Sequence, residues 1–261
     1  MSTSETLFEQ AGAVATLTFN RPHARNAMTF GMYEALITAC DRVDADETIR
    51  VFVLTGAGDK AFVAGTDISQ FVSFSTAADA VGYEHRIDTV IGRLERVRVP
   101  TIARVRGAAT GGGCVIALTC DLRICTPDAR FGVPVARTLG NCLSAANYAR
   151  LVDLLGPART KELLFTGRLV DAREAHALGL VTRVVDPEGL ESAVAELADV
   201  LATNAPLTIR ATKEMVRRVQ EARRASMVPS NDLVTGCYTS DDFRNAVAAF
   251  LEKRPPRFLG R

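Results

Sequence analysis

Residues 99–125 read VPTIARVRGAATGGGCVIALTCDLRIC: a strand-like run, three consecutive glycines, an uncharged apolar run and a second strand-like run. A helix that is apolar all round has to be buried. Two strands joined through such a helix require a crossover connection, which belongs to a layered α/β architecture. The glycines can do one of two things. They can let the helix pack tightly on a neighbouring strand, or they can let a ligand approach the main chain closely. The first N–H groups of the following helix have no partner within it and are free to bind an oxygen.

The same alternation runs through the first three quarters of the chain. VATLTF (14–19) alternates as a half-buried strand does, and IRVFVLTG (49–56) is a buried strand ending at Gly56. Helices are expected at 29–44 and 77–97, and further strands at 99–107 and in DLRICT. Beyond about residue 195 the strand signals stop. NAPLTIRATKEMVRRVQEARR and SDDFRNAVAAFLEKR are both amphipathic helices. The organisation expected is therefore an α/β core over 1–195 and a helical region over 196–261 that packs on the body or on another subunit. At 261 residues the chain can bury a sizeable core.

Composition excludes several classes of function. A net charge of +1 argues against nucleic acid or an anionic membrane surface as the main partner, and the absence of Trp argues against base stacking. No apolar run reaches membrane-spanning length without a charge, and MSTSETLFEQ has neither a basic nor an apolar leader region. The six cysteines form no C-x-x-C pair and lie in apolar segments, and His23, His85 and His176 are scattered. The expectation is reduced thiols, no metal site and a cytoplasmic location. GAGDKA (56–61) matches the G-x-G-x-x-A spacing of a dinucleotide fingerprint, but FVAGTDI follows it and cannot open the helix that motif needs.

Glycine precedes free backbone donors at two places, AGTDI (64–68) and GGGC (111–114). Two converging N–H groups suit a thioester carbonyl turning into an enolate. With NRPHARNAM, AFVAGTDI, TIARVRGAATGGGC, CDLRICTPDARFGVP, ELLFTGRLVDAREAHALGLVTRVV and FLEKR in order, the chain resembles the crotonase, or enoyl-CoA hydratase/isomerase, superfamily over nearly its whole length. The resemblance implies a spiral of ββα units, C-terminal helices that build a homo-trimer or hexamer, and an acyl-CoA ligand with no other cofactor. It implies that the N–H groups of Thr66 and Gly112 hold the thioester oxygen, with Gly65 and Gly111 shaping the hole. Ala24, Arg25, Ala64 and Ile68 match the region that cradles the adenine and the pantetheine arm. Phe250 and Lys253 match tail positions that close over the CoA of a neighbouring subunit. Asp67 and Asp121 lie within the motifs and are expected to brace the turns.

The chain departs from the hydratase pattern at the acids. Family hydratases use two glutamates, at positions that here are Val115 and Val135. Neither valine exchanges a proton, and each positioned acid or base contributes roughly 10²- to 10⁴-fold. The loop NCLSAANYARL (141–151) also lacks the proline and glycine usual there, so a remodelled acyl pocket is expected, with Arg137, Asn141, Cys142 and Tyr148 as its polar residues. Cys142 stands where a dehalogenase branch of the superfamily carries a nucleophilic aspartate, although a small buried hydrophobe is the stronger expectation. His85 and Asp88, three apart on one helical face, are expected to be solvated.

Three functions are compatible with this pattern. The first is an acyl-CoA enzyme of enolate chemistry, such as a decarboxylase or thioester hydrolase, with proton-transfer groups in new positions. The second is a hydratase or isomerase of fatty acid metabolism using an unidentified acid. The third is a non-catalytic acyl-CoA-binding subunit.

Overall fold

A computed structural model describes residues 4–225 and 230–261. The chain opens with β1 (Thr6–Ala11), β2 (Val14–Phe19) and α1 (Phe30–Ala45). It continues through β3 (Val51–Gly56), β4 (Ala61–Val63), α2 (Ala77–Glu95), β5 (Thr101–Val105), β6 (Ala108–Thr110) and α3 (Gly112–Thr119). Next come β7 (Leu122–Cys125), β8 (Arg130–Gly132), α4 (Val135–Thr138), α5 (Ala145–Thr166), β9 (Val170–Asp171), α6 (Ala172–Ala177) and β10 (Arg183–Val184). Four helices close the chain: α7 (Leu190–Thr203), α8 (Pro206–Arg224), α9 (Asn231–Tyr238) and α10 (Asp241–Leu251).

One step is repeated three times. In β3–β4–α2, β5–β6–α3 and β7–β8–α4/α5, the first strand joins a sheet of order β1-β2-β3-β5-β7-β10 and the second a sheet of order β4-β6-β8-β9. The pairings between successive units are parallel in both sheets. Each unit therefore advances the chain in the same direction, and the result is a spiral. Antiparallel partners, β1 and β9, edge the two sheets. Right after the GAGDKA motif the chain enters β4 with no helix between, so the fingerprint is absent in structure as well.

The large sheet is covered on both faces, which explains the unbroken apolar run of β3. Phe52 and Leu54 face the central core with α1, α2 and α3, while Val51 and Val53 pack with Leu190, Ala193 and Val194 of α7. Each such side chain, fully buried, is worth about 1.5–3 kcal/mol of transfer free energy. A third cluster joins Phe71, Ala80 and Leu139 to Val234 and Tyr238 of α9 and Phe243 and Val247 of α10. Those two helices of the 196–261 region therefore pack onto their own chain. α5 breaks at Gly156–Pro157, where Gly156 takes φ 73°. No described helix is long and apolar enough to cross a membrane.

Candidate active site

The parallel pairing of β4 with β6 brings the ends of both strands together, and a glycine turn follows each. The first turn is fixed by Met28, whose N–H donates to Gly65 O (2.8 Å) and whose carbonyl accepts from Asp67 N (2.9 Å). That pairing points the Thr66 N–H away from Met28. The second turn is fixed by Gly111 N donating to Gly132 O (2.9 Å). Gly111 has φ 55° and ψ −128°, a conformation open to glycine, and a Cβ added there would lie 3.5 Å from Gly65 Cα. A Cβ on Gly113 would stand 2.1 Å from Val63 O. Within the triple glycine, position 113 thus serves helix packing and position 111 serves the turn.

Gly112 begins α3. Among the described residues, the N–H groups of Thr66 and Gly112 donate to no protein acceptor. Both residues line one cavity of about 220 Å³. The Thr66 hydroxyl oxygen lies 2.8 Å from Tyr33 Oη and 2.7 Å from Tyr83 Oη. Burial pushes the Tyr33 phenol up to about 12, so it stays protonated at neutral pH. At the far end of α3, the buried Arg123 of β7 donates to the carbonyls of Ala117, Leu118, Cys120 and Asp121.

Val115, on the first turn of α3, and Val135, opening α4 after Pro134, both line the cavity and present methyl groups to it. The carboxylate in this cavity comes from elsewhere. Among the described residues lining it, Glu84 of α2 is the one charged side chain. It is 5% exposed. One of its oxygens accepts from Ser144 N (2.8 Å) and the other from the Tyr238 hydroxyl (2.6 Å), which itself accepts from Asn141 Nδ2 (2.9 Å). Burial is the main reason its carboxyl is pushed up to about 7, and the Asp88 charge adds to it against the lowering effect of the two hydrogen bonds.

Local sequence explains how Glu84 is held. A capping box of Thr76 and Asp79 starts α2, and Ser144 caps α5 by accepting from Asn147 N. The Ser144 hydroxyl also donates to Asp88 (2.6 Å), so the loop before α5 is stitched to α2 at two carboxylates one turn apart. The solvated face expected for His85 and Asp88 holds for His85, which is exposed, and fails for Asp88. Burial raises the Asp88 carboxyl, and Asn147 Nδ2 donates to it at 3.4 Å.

A sequence profile of the enoyl-CoA hydratase/isomerase family matches residues 9–261. The chain belongs to this family. It is 35% identical over 257 residues to a short-chain-enoyl-CoA hydratase of Clostridium acetobutylicum, with 97% of each chain covered. Among solved structures, an enoyl-CoA hydratase/carnitine racemase of Magnetospirillum magneticum superposes with TM-score 0.80 at 33% identity, covering 100% of this chain and 97% of the other. A methylmalonyl-CoA decarboxylase in complex with 2-nitronate-propionyl-CoA superposes with TM-score 0.89 at 27% identity, covering both chains fully. The ββα spiral and helical C-terminus are the fold this family shares.

The other residues carried over from the family pattern fall in different places. Ala64, Gly65, Ile68 and Gly111 line the cavity with Thr66 and Gly112. Asp67 braces its turn: it accepts from Ser69 N (3.1 Å) and pairs with Arg21 (3.0 Å). Asp121 likewise accepts from Thr101 N and pairs with Lys213 (2.7 Å). Ala24 and the exposed Arg25 lie outside the cavity, on a loop that Ala64 N joins by donating to Arg25 O (3.1 Å). Phe250 lines the cavity of its own chain, whereas exposed Lys253 does not reach it.

Cys142 departs from its expected place in the acyl pocket. Along the extended loop, Asn141 and Leu143 face the cavity and Cys142 faces the other way. Its thiol lies 3.8 Å from Leu233 O of α9, beside Cys237. The contact with Cys237 and burial both raise it, which opposes the thiolate a nucleophile needs.

Glu84 lies outside the family motifs, yet the sequence carries a signal for it. Ala80, Ile87, Ile91 and Leu94 form the buried stripe of α2 at helical spacing, and Glu84 occupies a position of that stripe. A charge at a core position of an amphipathic helix is the departure to look for.

Proposed function

We propose that this family member is an acyl-CoA enzyme that holds the thioester oxygen between the N–H groups of Thr66 and Gly112 and stabilises the enolate formed at the adjacent carbon. The observation that carries this reading is the pair of unengaged N–H groups on two touching glycine turns, opening into one cavity. The carbonyl oxygen gains negative charge as the enolate forms, and fixed donors aimed there stabilise that charge without reorganising. Losing one such donor typically costs about 10²- to 10³-fold in rate. The free end of α3 adds the positive end of the helix dipole.

With Val115 and Val135 in place of the two acids of hydratases, addition of water across a double bond lacks its usual proton donor and water-holding base. Decarboxylation of a 2-carboxyacyl thioester is the reading favoured second. It generates the enolate without a base, and the likeness to a methylmalonyl-CoA decarboxylase supports it. A trimeric or hexameric assembly of this chain is part of the proposal. It is supported by Leu207, Met215, Val216 and Val219 of α8, all more than half exposed.

The test is the absorbance of the conjugated thioester when the protein is mixed with crotonyl-CoA, alongside binding measured by calorimetry. Binding without hydration at enzymatic rates is expected. Rapid hydration that Gly112→Leu abolishes would refute the reading of the valines. Failure to bind any acyl-CoA would refute the proposal as a whole.

A further inference from the structure

We infer that Glu84 is the group that moves a proton at C2 of the bound acyl thioester, in place of the acids absent at positions 115 and 135; this rests on the thioester reading above. It is the one charged side chain among the described residues lining the cavity, beside Tyr83 and one turn before Ile87, which line it too. Each carboxylate oxygen accepts one hydrogen bond, from Ser144 N or the Tyr238 hydroxyl, and keeps a second lone pair for a proton. Those two bonds come from the loop before α5 and from α9, so the carboxylate is fixed from both sides.

The step balances with no further reactant. Glu84 as the carboxylate takes the C2 proton. The C–H electron pair becomes the C1–C2 double bond, and the carbonyl π pair moves to the oxygen held by Thr66 and Gly112. In reverse, the acid form returns the proton to C2 and the enolate collapses to the thioester. The acid form alone serves a reaction in which the enolate arises by loss of carbon dioxide. Tyr238 touches no reacting atom in this scheme and is a positioning residue.

A carboxyl held near 7 is available in both forms at neutral pH, which suits transfer in either direction. Burial, Asp88 of α2, Ser144 of the loop and Tyr238 of α9 set it, while Tyr83 of α2, Tyr33 of α1, Cys142 of the loop and Tyr148 of α5 also face it and are themselves raised by its charge. Asp88 raises it, whereas Tyr238 and Ser144 lower it through hydrogen bonds.

The experiment is exchange of the C2 protons of butyryl-CoA for deuterium in heavy water, followed by mass spectrometry, with binding measured in parallel by calorimetry. Wild-type protein is expected to exchange with a rate that rises with pH through an inflection near 7. Glu84→Gln is expected to bind butyryl-CoA within a few-fold of wild type and to exchange at least about 10²-fold more slowly. Tyr238→Phe is expected to keep exchange but move the inflection upward, a shift that a merely structural role would not produce. Unchanged exchange in Glu84→Gln overturns the inference, and so does wild-type binding without exchange. A wild-type protein that does not bind butyryl-CoA at all overturns the thioester reading beneath it.

Discussion

The buried carboxyl of Glu84 makes stability depend on pH in a way that one substitution should remove. Its ordinary value of 4.5 is raised to about 7 in the folded protein, chiefly by burial. Between those values the folded state binds more protons than the unfolded chain, so stability falls as pH rises through this window and is level above it. At about 1.4 kcal/mol per tenfold change in proton affinity, the loss from this one group is about 3 kcal/mol between pH 4 and pH 8. Glu84→Gln removes the charge and keeps the shape. The Gln oxygen can accept from Ser144 N, and its amide can donate to the Tyr238 oxygen. The Tyr238 proton then turns to Asn141 Oδ1, a buried acceptor without a partner, once the Asn141 amide turns over. Denaturant midpoints at pH 5, 6, 7 and 8, at fixed protein concentration, should show the variant gaining on wild type by about 2.5 kcal/mol as pH rises. Parallel curves for the two proteins would refute the argument, because they would mean that Glu84 titrates alike in the folded and unfolded chain.

Gly113→Ala is expected to cost several kcal/mol, or to prevent folding, since its Cβ would meet Val63 O at 2.1 Å; a melting temperature near wild type would contradict the packing role. Cys142→Ala is expected to leave turnover on any accepted thioester unchanged, and a loss beyond about tenfold would return the thiol to the reaction. Asp88→Asn should lower the pH at which C2 exchange is half-maximal, because the Asp88 charge raises the Glu84 carboxyl; an upward move in the exchange profile would reverse that assignment.

Much of this architecture was legible in the residues. The run VFVLT announced a strand covered on both faces, and the strand–glycine–apolar helix segment announced α3 with free donors at its start. The three-residue strands β4, β6 and β8 were not legible, because three residues show no period; their place is set by pairing with one another. The motif resemblance pointed to positions 115 and 135, which hold valines. Resemblance to a pattern carries no information on a carboxylate placed on another element, and what marks Glu84 is its burial. The helices after residue 195 read as amphipathic, to be packed on the body or on another subunit. Two of them pack onto their own chain, and Phe250 of α10 lines its cavity, a choice of partner that amphipathic spacing alone does not make.

Arg123 gives α3 an electrical asymmetry. Its guanidinium sits against the carbonyls of Ala117 and Leu118 in the last turn and of Cys120 and Asp121 just after it, so the negative pole is grounded inside the protein while the positive pole opens into the cavity. The helix has eight residues and is therefore about 12 Å long. Across that distance at an effective dielectric of about 20, a full charge acts on an anion at Gly112 with about 1.4 kcal/mol. A neutral side chain at 123 would leave four carbonyls unanswered and would weaken by roughly tenfold the hold proposed for a negative oxygen between Thr66 and Gly112. A cation stored one helix length away can thus act on an anion in the cavity without itself standing in the cavity wall.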